Sequence, residues 1–477
     1  MTDWRRRAAV VAFGVVTCLS LPPWGWWPLA PVGLAGFVLV FRAETLKQRL
    51  LLAWMFWMGV YSLGLLWMID LTLPGWIVAT PIEALIMAAP WAALPDRGGW
   101  RKAGVPAALV VGEATRWVVP FGGVPMTNLA LGQVEAPWVE VVRIAGPLLL
   151  IALVGLVAAM LAGLLEDQRS AVAAGAVVIV VIIAGALAPS GSDDEPLDVA
   201  VVQAGGELGT NAVNSDEAAV FDRHVAALEA QPPDVDLIVW SESSAVSDGP
   251  LDGSRRMLEL RALADLYDAT IIANFSERAI DRFRNAAVAV APGDGLVGRY
   301  DKVHLVPFGE YVPLRGFIEN FADLSLIPRE AIAGEGDAVL DTPFGPVATV
   351  ISFEVYFPAR VRSGIQAGGR IVTNPTLASS YTTTMVPAQS LASAQLRAIE
   401  SGRWVLQSST TGFTAIIDPG GTVVARSGLR ESTVLTATAQ LRSGRTWAVR
   451  LGKWPVTAIA LLLIGAAAGA RREAVSR

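Results

Sequence analysis

The chain has 477 residues, of which 53% are hydrophobic and only 17% charged, with a formal net charge of −6. That is too apolar for an ordinary soluble protein, and the acidic balance gives no footprint for nucleic-acid binding. A single cysteine, Cys18, excludes any intramolecular disulfide.

The apolarity is concentrated in residues 1–190 and 454–471, whereas 192–450 has a globular composition. A membrane-spanning helix needs roughly 20 mostly apolar residues. Seven stretches before residue 192 answer that description, near 8–22, 27–42, 50–69, 75–95, 103–120, 140–165 and 170–189, and an eighth covers 454–471. Residues 1–22 resemble a secretory signal, but the helices that follow favour a first membrane helix with Cys18 buried in it. The expected division is a seven-helix membrane domain at 1–191, a domain at 192–450 long enough to bury its own core, and a last membrane helix with its tail at 451–477.

Lys and Arg fix the expected orientation. Arg5, Arg6 and Arg7, then Arg42, Lys47 and Arg49, then Arg97, Arg101 and Lys102, then Arg169, and last Arg471 and Arg472 fall on one side of an eight-helix alternation. The intervening loops near 70–74 and 121–138 carry neither residue. The positive-inside rule then puts both termini in the cytoplasm and 192–450 on the outer face, with Trp24, Trp26 and Trp27 in an interfacial aromatic belt. Glu83, Glu113 and Arg116 fall in or at the ends of these helices. Arg116 is placed to snorkel outward, and Glu113 to pair with it at i,i+3. A proton-coupled transporter would explain such charges but not an outer domain of this size.

From Leu197 the pattern changes to short β-rich runs alternating with helices, which argues an α/β domain. Strands are expected at 198–203, 235–240, 270–274, 285–290, 296–300, 347–351, 404–408, 414–418 and 422–425, and helices at 215–230, 257–267 and 390–401. The 215–230 helix has a possible cap at Asn214 or Ser215. Glu242 follows one strand end in Trp240-Ser-Glu242. Lys302 lies in Tyr300-Asp-Lys302-Val-His-Leu-Val-Pro-Phe-Gly-Glu310-Tyr-Val-Pro, and Ser352 follows another strand in Ser352-Phe-Glu354. A carboxylate, an ammonium and a nucleophile in that order are the parts of covalent acyl chemistry. No His/Cys ligand cluster and no glycine-rich phosphate loop suggests a metal or an organic cofactor.

These motifs, together with Arg397-Ala-Ile-Glu400-Ser-Gly-Arg403, resemble those of the apolipoprotein N-acyltransferase family over essentially the whole chain. The resemblance implies about eight membrane helices and an extracytoplasmic nitrilase-like α-β-β-α sandwich in a bacterial cytoplasmic membrane. It implies transfer of an acyl chain from a phospholipid, through a covalent acyl-enzyme, to the α-amino group of a diacylglyceryl lipoprotein cysteine. It also implies roles. Glu242 is the general base, Lys302 stabilises the oxyanion with the Phe353 N–H as a second donor, and Glu310 positions the lysine or orders its loop. Glu354 supports the nucleophile turn or simply packs. His304 belongs to the lysine motif and is expected to make a structural hydrogen bond, and His224 to be a surface residue. The apolar run Pro313–Pro328, with Phe317, Phe321, Leu324 and Leu326, reads as a membrane-dipping lid, or else as a packed helix.

Three departures stand out. Ser352 occupies the place of the family's cysteine, and a hydroxyl is the weaker nucleophile, so turnover is expected to be weakened or abolished. Asn374-Pro-Thr-Leu377 stands where the family reads Asn-Asp-Ala-Trp, and Thr410-Thr-Gly412 replaces Asn-Thr-Gly. The alternative is an inactive paralogue that binds lipid, lipoprotein or another membrane enzyme.

Overall fold

The computed structural model describes residues 3–42, 45–95, 98–207, 217–320, 329–381 and 383–476. The chain divides into two compact units, Met1–Pro189 with Thr446–Arg477, and Ser190–Arg445.

In the first unit a helix forms at each of the eight apolar stretches: Asp3–Cys18, Leu29–Val40, Leu46–Gly64, Leu73–Ala88, Gly99–Arg116, Pro147–Glu166, Gln168–Leu187 and Trp454–Ser476. Among the described residues, four helical segments are long and apolar enough to cross a membrane: Leu73–Ala93, Pro147–Glu166, Gln168–Leu187 and Trp454–Arg472. The other four fall short for separate reasons. Asp3–Cys18 opens on charged residues, and Leu29–Val40 has only 12 residues. Leu46–Gly64 is diluted by Lys47, Gln48 and Arg49, and Gly99–Arg116 carries four charges. The first and third helices cross closely, because a side chain on Gly59 would meet Val11 O at 2.5 Å and the Gly14 Cα at 3.1 Å.

Arg116 does not snorkel; it is fully buried. Its Nε donates to Glu83 at 2.5 Å, Nη1 to Glu113 at 2.9 Å, and Nη2 to the carbonyls of Val124 and Met126 at 2.9 and 2.8 Å. The expected Glu113 pair is present, but Glu83 from another helix completes it. A buried guanidinium needs this many acceptors, and the two loop carbonyls supply what the two carboxylates cannot reach.

The second unit holds two sheets. Its strands are β1 (Ser192–Gln203), β2 (Leu237–Val239), β3 (Ala245–Asp248), β4 (Thr270–Arg278), β5 (Arg282–Ala291), β6 (Gly295–Asp301), β7 (Glu330–Ala331), β8 (Val339–Leu340), β9 (Val347–Thr349), β10 (Val372–Thr376), β11 (Val405–Ser409), β12 (Ala415–Ile417), β13 (Val423–Arg426) and β14 (Thr433–Ser443). One sheet has the order β14-β1-β2-β4-β5-β6, with β3 on β4 and β7 on β5; the other runs β13-β12-β11-β10-β9-β8. Where they pair in parallel, β1, β2 and β4 are buried and almost wholly apolar, as strands covered on both faces must be, whereas the equally buried β10 and β11 carry Thr373, Asn374, Thr376, Gln407, Ser408 and Ser409. The Ser408 hydroxyl donates to Val202 O at 2.6 Å, tying β11 of one sheet to β1 of the other.

β14 escapes the sequence reading because Thr433-Val-Leu-Thr-Ala-Thr-Ala-Gln holds few large apolar residues, yet it pairs antiparallel along β1 from Ser192 to Gln203. The 390–401 helix begins earlier, at Met385. The helix expected from 215 is described from Glu217, and the Asn214/Ser215 cap lies outside the described residues.

His224 is not on the surface. It is fully buried, stacked on Trp240 at 4.8 Å. Its Nδ1 donates to Val220 O at 2.8 Å, so Nε2 is the acceptor for the Ser241 hydroxyl at 3.1 Å. Burial lowers its pKa to about 4. The native state therefore holds it neutral, and the unfolded chain protonates first as pH falls below the free value. Stability from this group is complete above about pH 6.5 and is lost between there and pH 4, by on the order of 3 kcal/mol. Thermal unfolding of the full chain should show a melting temperature that falls across this window. His224→Gln, which keeps an acceptor but does not titrate, should flatten that fall; an unchanged fall would assign it to other groups.

Candidate active site

The chemistry-bearing residues sit just beyond the ends of strands, where α/β sheets place their sites. Glu242 follows β2, Lys302 follows β6, and Ser352 follows β9. Lys302 is buried, and its Nζ donates to Glu242 Oε1 at 2.8 Å and to Glu310 Oε1 at 3.0 Å. Burial alone would depress its pKa, but the two carboxylates outweigh it and hold the ammonium above the ordinary lysine range. Glu310 also accepts from the Val306 N–H at 2.7 Å, which pins the loop that follows Lys302.

Asn285, a residue to which the sequence assigned no role, joins this set. Its Nδ2 donates to Glu242 Oε1 at 2.9 Å and to Glu310 Oε1 at 3.0 Å. The Asn274 Nδ2 donates to Asn285 Oδ1 at 2.7 Å, and Asn274 Oδ1 accepts the Ser243 N–H at 2.7 Å. The only available signal was an asparagine in each of the otherwise apolar runs 271–275 and 285–291, in strands, where this residue type is depleted.

Ser352 opens a tight turn in a left-handed conformation, φ +53°, which a non-glycine residue adopts only when its surroundings enforce it. Two groups enforce it. Asn374 Oδ1 accepts the Ser352 N–H at 3.1 Å, and Glu354 Oε2 accepts the Ile351 N–H at 2.9 Å. Asn374 is oriented in turn by Gln407, whose Oε1 takes the Asn374 Nδ2 at 2.9 Å while its own Nε2 donates to Phe413 O at 2.9 Å. The Thr376 hydroxyl donates to Ser352 Oγ at 3.1 Å.

Glu354 is wholly buried and binds more than the turn. It accepts from the Tyr300 hydroxyl at 2.8 and 2.9 Å and from the Val303 and His304 N–H groups at 2.9 and 3.0 Å. It thereby ties the turn of Ser352 to the segment after Lys302. Burial and the Glu354 charge push the Tyr300 hydroxyl above the ordinary tyrosine range, which keeps it a donor. The hydrogen bond expected of His304 is made by its backbone, not its ring. The ring stacks on Phe357 at 4.2 Å, its buried Nδ1 has no hydrogen-bond partner among the described residues, and burial lowers its pKa. Phe353 packs edge-on against Phe357 at 5.2 Å.

Of the lid residues, Phe317 is 64% exposed in a short helix, Arg315–Ile318. Exposed Leu314 precedes that helix, and half-exposed Phe308 lies six residues further back. Phe321, Leu324 and Leu326 lie outside the described residues. Among the described residues no group of three His, Cys, Asp or Glu side chains is placed to hold a metal ion.

A buried ammonium held by two carboxylates is thus linked through Glu354 to the strained turn of Ser352. Residues 198–449 match the carbon-nitrogen hydrolase family, and residues 13–160 match the apolipoprotein N-acyltransferase N-terminal domain. The apolipoprotein N-acyltransferases of Azotobacter vinelandii and Pseudomonas syringae pv. tomato are each 28% identical to this chain, over 98% and 97% of it and 96% of each of theirs. Among solved structures, Saccharomyces cerevisiae Nit3, a member of branch 10 of the nitrilase superfamily, is 20% identical over 53% of this chain and 92% of its own, with a TM-score of 0.40. The chain therefore belongs to the apolipoprotein N-acyltransferase family, an acyltransferase family of the carbon-nitrogen hydrolases.

Glu354→Gln should destabilise the full chain by roughly 3–5 kcal/mol, because an amide sets N–H donors against donors it cannot satisfy. A clear drop in the thermal unfolding temperature checks this, and an unchanged one would reduce Glu354 to packing.

Proposed function

We propose that this chain takes an acyl chain from a phospholipid onto Ser352 and passes it to the α-amino group of a diacylglyceryl-modified N-terminal cysteine of a lipoprotein. The observation that carries the reading is the Glu242–Lys302–Glu310 set, in which one buried ammonium joins both carboxylates within 3.0 Å. Glu242 takes the proton of Ser352 Oγ and later that of the incoming amine. An ammonium has three protons, and two of those on Lys302 go to the carboxylates. The third serves the oxyanion, with the Phe353 N–H as second donor. Glu310 and Asn285 hold Lys302 and Glu242 in register, and Glu354 and Asn374 hold the turn.

The other expectations go with this reading. Eight helices span a bacterial cytoplasmic membrane, both termini are cytoplasmic, and the catalytic domain of 192–450 lies on the outer face. The one-sided placement of Lys and Arg supports that orientation. The exposed Phe308, Leu314 and Phe317 suit a lid that meets acyl chains. A serine in place of a thiol slows each turnover without removing any other part of the site.

Mass spectrometry of a diacylglyceryl lipopeptide incubated with the purified chain and phospholipid should reveal a slowly added third acyl chain. Lys302→Met should lower the rate by roughly 10²–10³, the usual loss for an oxyanion donor. Ser352→Cys should raise it by about tenfold or more. If neither the native chain nor Ser352→Cys adds an acyl chain, the enzyme reading fails, and a lipid- or lipoprotein-binding scaffold takes its place.

A further inference from the structure

Two of the chain's departures from its family touch each other. Thr376 stands where the family reads the alanine of Asn-Asp-Ala-Trp, Ser352 stands where it reads cysteine, and their hydroxyls lie 3.1 Å apart with Thr376 as donor. Thr376 ends β10, two residues beyond Asn374, so both side chains leave the strand on one face and reach the same turn. The exchange is complementary in volume and in chemistry. Sulfur is larger than oxygen and sits on a longer bond, so alanine leaves it room; the smaller Oγ leaves space that the threonine hydroxyl fills. A thiolate forms readily without help, whereas a hydroxyl needs its developing negative charge stabilised. A donor already aimed at Oγ supplies that stabilisation, and it leaves the proton of Ser352 itself to go to the base.

We propose that Ser352 and Thr376 form a matched hydroxyl pair that makes this chain a phospholipid transacylase, holding the acyl group as a seryl oxyester and handing it to the free hydroxyl of a lysophospholipid. The inference rests on the reading above that Ser352 receives an acyl chain, and it goes beyond that reading in the acceptor. In the first half, Ser352 Oγ adds to the ester carbonyl of a phospholipid and its proton passes to Glu242. Lys302 and Asn285 both engage Oε1 of Glu242, which turns Oε2 to this work. The bond from the acyl carbon to the glycerol oxygen breaks, and Glu242 returns the proton to that oxygen as the lysophospholipid leaves. In the second half another lysophospholipid hydroxyl gives its proton to Glu242 and bonds to the acyl carbon. The bond to Ser352 Oγ then breaks, and Oγ regains the proton.

One ester forms for each ester broken, so both halves are close to isoenergetic and nothing is oxidised or reduced. A thioester lies uphill of its parent ester and has a better leaving group, which drives it onto an amine. A seryl ester lacks that drive, so replacing sulfur by oxygen shifts the acceptor from amine toward hydroxyl.

The test uses the full chain in mixed micelles of phosphatidylethanolamine with deuterated acyl chains and unlabelled lysophosphatidylglycerol, and mass spectrometry reads deuterated acyl chains in phosphatidylglycerol. The native chain should form this product, Ser352→Ala should form none, and Thr376→Val should lower the rate by roughly tenfold or more. Thr376→Ser, which keeps the hydroxyl, should restore the rate and so separates loss of the donor from loss of the fold. In Ser352→Cys the ratio of exchange to lipopeptide N-acylation should fall by about tenfold, and adding Thr376→Ala should speed N-acylation further, the coupling expected of two residues in contact. Exchange that survives Ser352→Ala, or that Thr376→Val leaves unchanged, overturns the proposal. So does a native chain that forms no labelled phosphatidylglycerol. If Ser352→Cys nevertheless N-acylates the lipopeptide, the transacylase proposal alone falls; if it does not, the N-acyltransferase reading falls with it.

Discussion

The α/β unit is organised around one buried ammonium. Lys302 has almost no contact with solvent, and a lone charge in that position would be lost to deprotonation or unfolding. It survives because Glu242 and Glu310 flank it, and those two carboxylates survive together because Lys302 and Asn285 lie between them. Removing Lys302 leaves two buried carboxylates without their counter-charge, a cost of several kcal/mol. Such a set tolerates little rearrangement. That rigidity is what preorganised stabilisation of a transition state requires.

Two chains of side-chain amides carry the same order outward, and each begins at a backbone N–H. From Ser243 the donors run to Asn274, then to Asn285, then to the two glutamates. From Ser352 they run to Asn374, then to Gln407, and end on the carbonyl of Phe413. Because each chain is anchored on a backbone group of known polarity, every amide in it has one permitted orientation. One chain holds Glu242 and Glu310 around Lys302; the other holds the strained turn of Ser352. Glu354 joins the two halves by binding both the turn and the segment after Lys302.

The sequence revealed the ends of these chains and not their middles. Glu242 and Ser352 drew notice because each follows a short apolar strand, and Lys302 because it opens a long motif that runs to Pro313. Asn274, Asn285, Thr376 and Gln407 were not, since an amide or hydroxyl in a strand acquires its role only from the strand that pairs beside it. His224 was misread although a signal existed. It lies three residues from Phe221 and four from Leu228, on the apolar stripe of its helix, where a buried neutral ring was the better expectation. Positions of the helices in the membrane-type unit followed from hydropathy alone. Three of the four acceptors of Arg116 did not, because Glu83 reaches it from another helix and the carbonyls of Val124 and Met126 from a loop.

The central claim is that Ser352 itself carries the acyl chain. The direct measurement is the mass of the proteolytic peptide containing Ser352 after the full chain has met phospholipid with no acceptor present. The account predicts a gain of one acyl group on that peptide, released by hydroxylamine and absent in Ser352→Ala. An unmodified peptide, or an acyl group on any other residue, would contradict it.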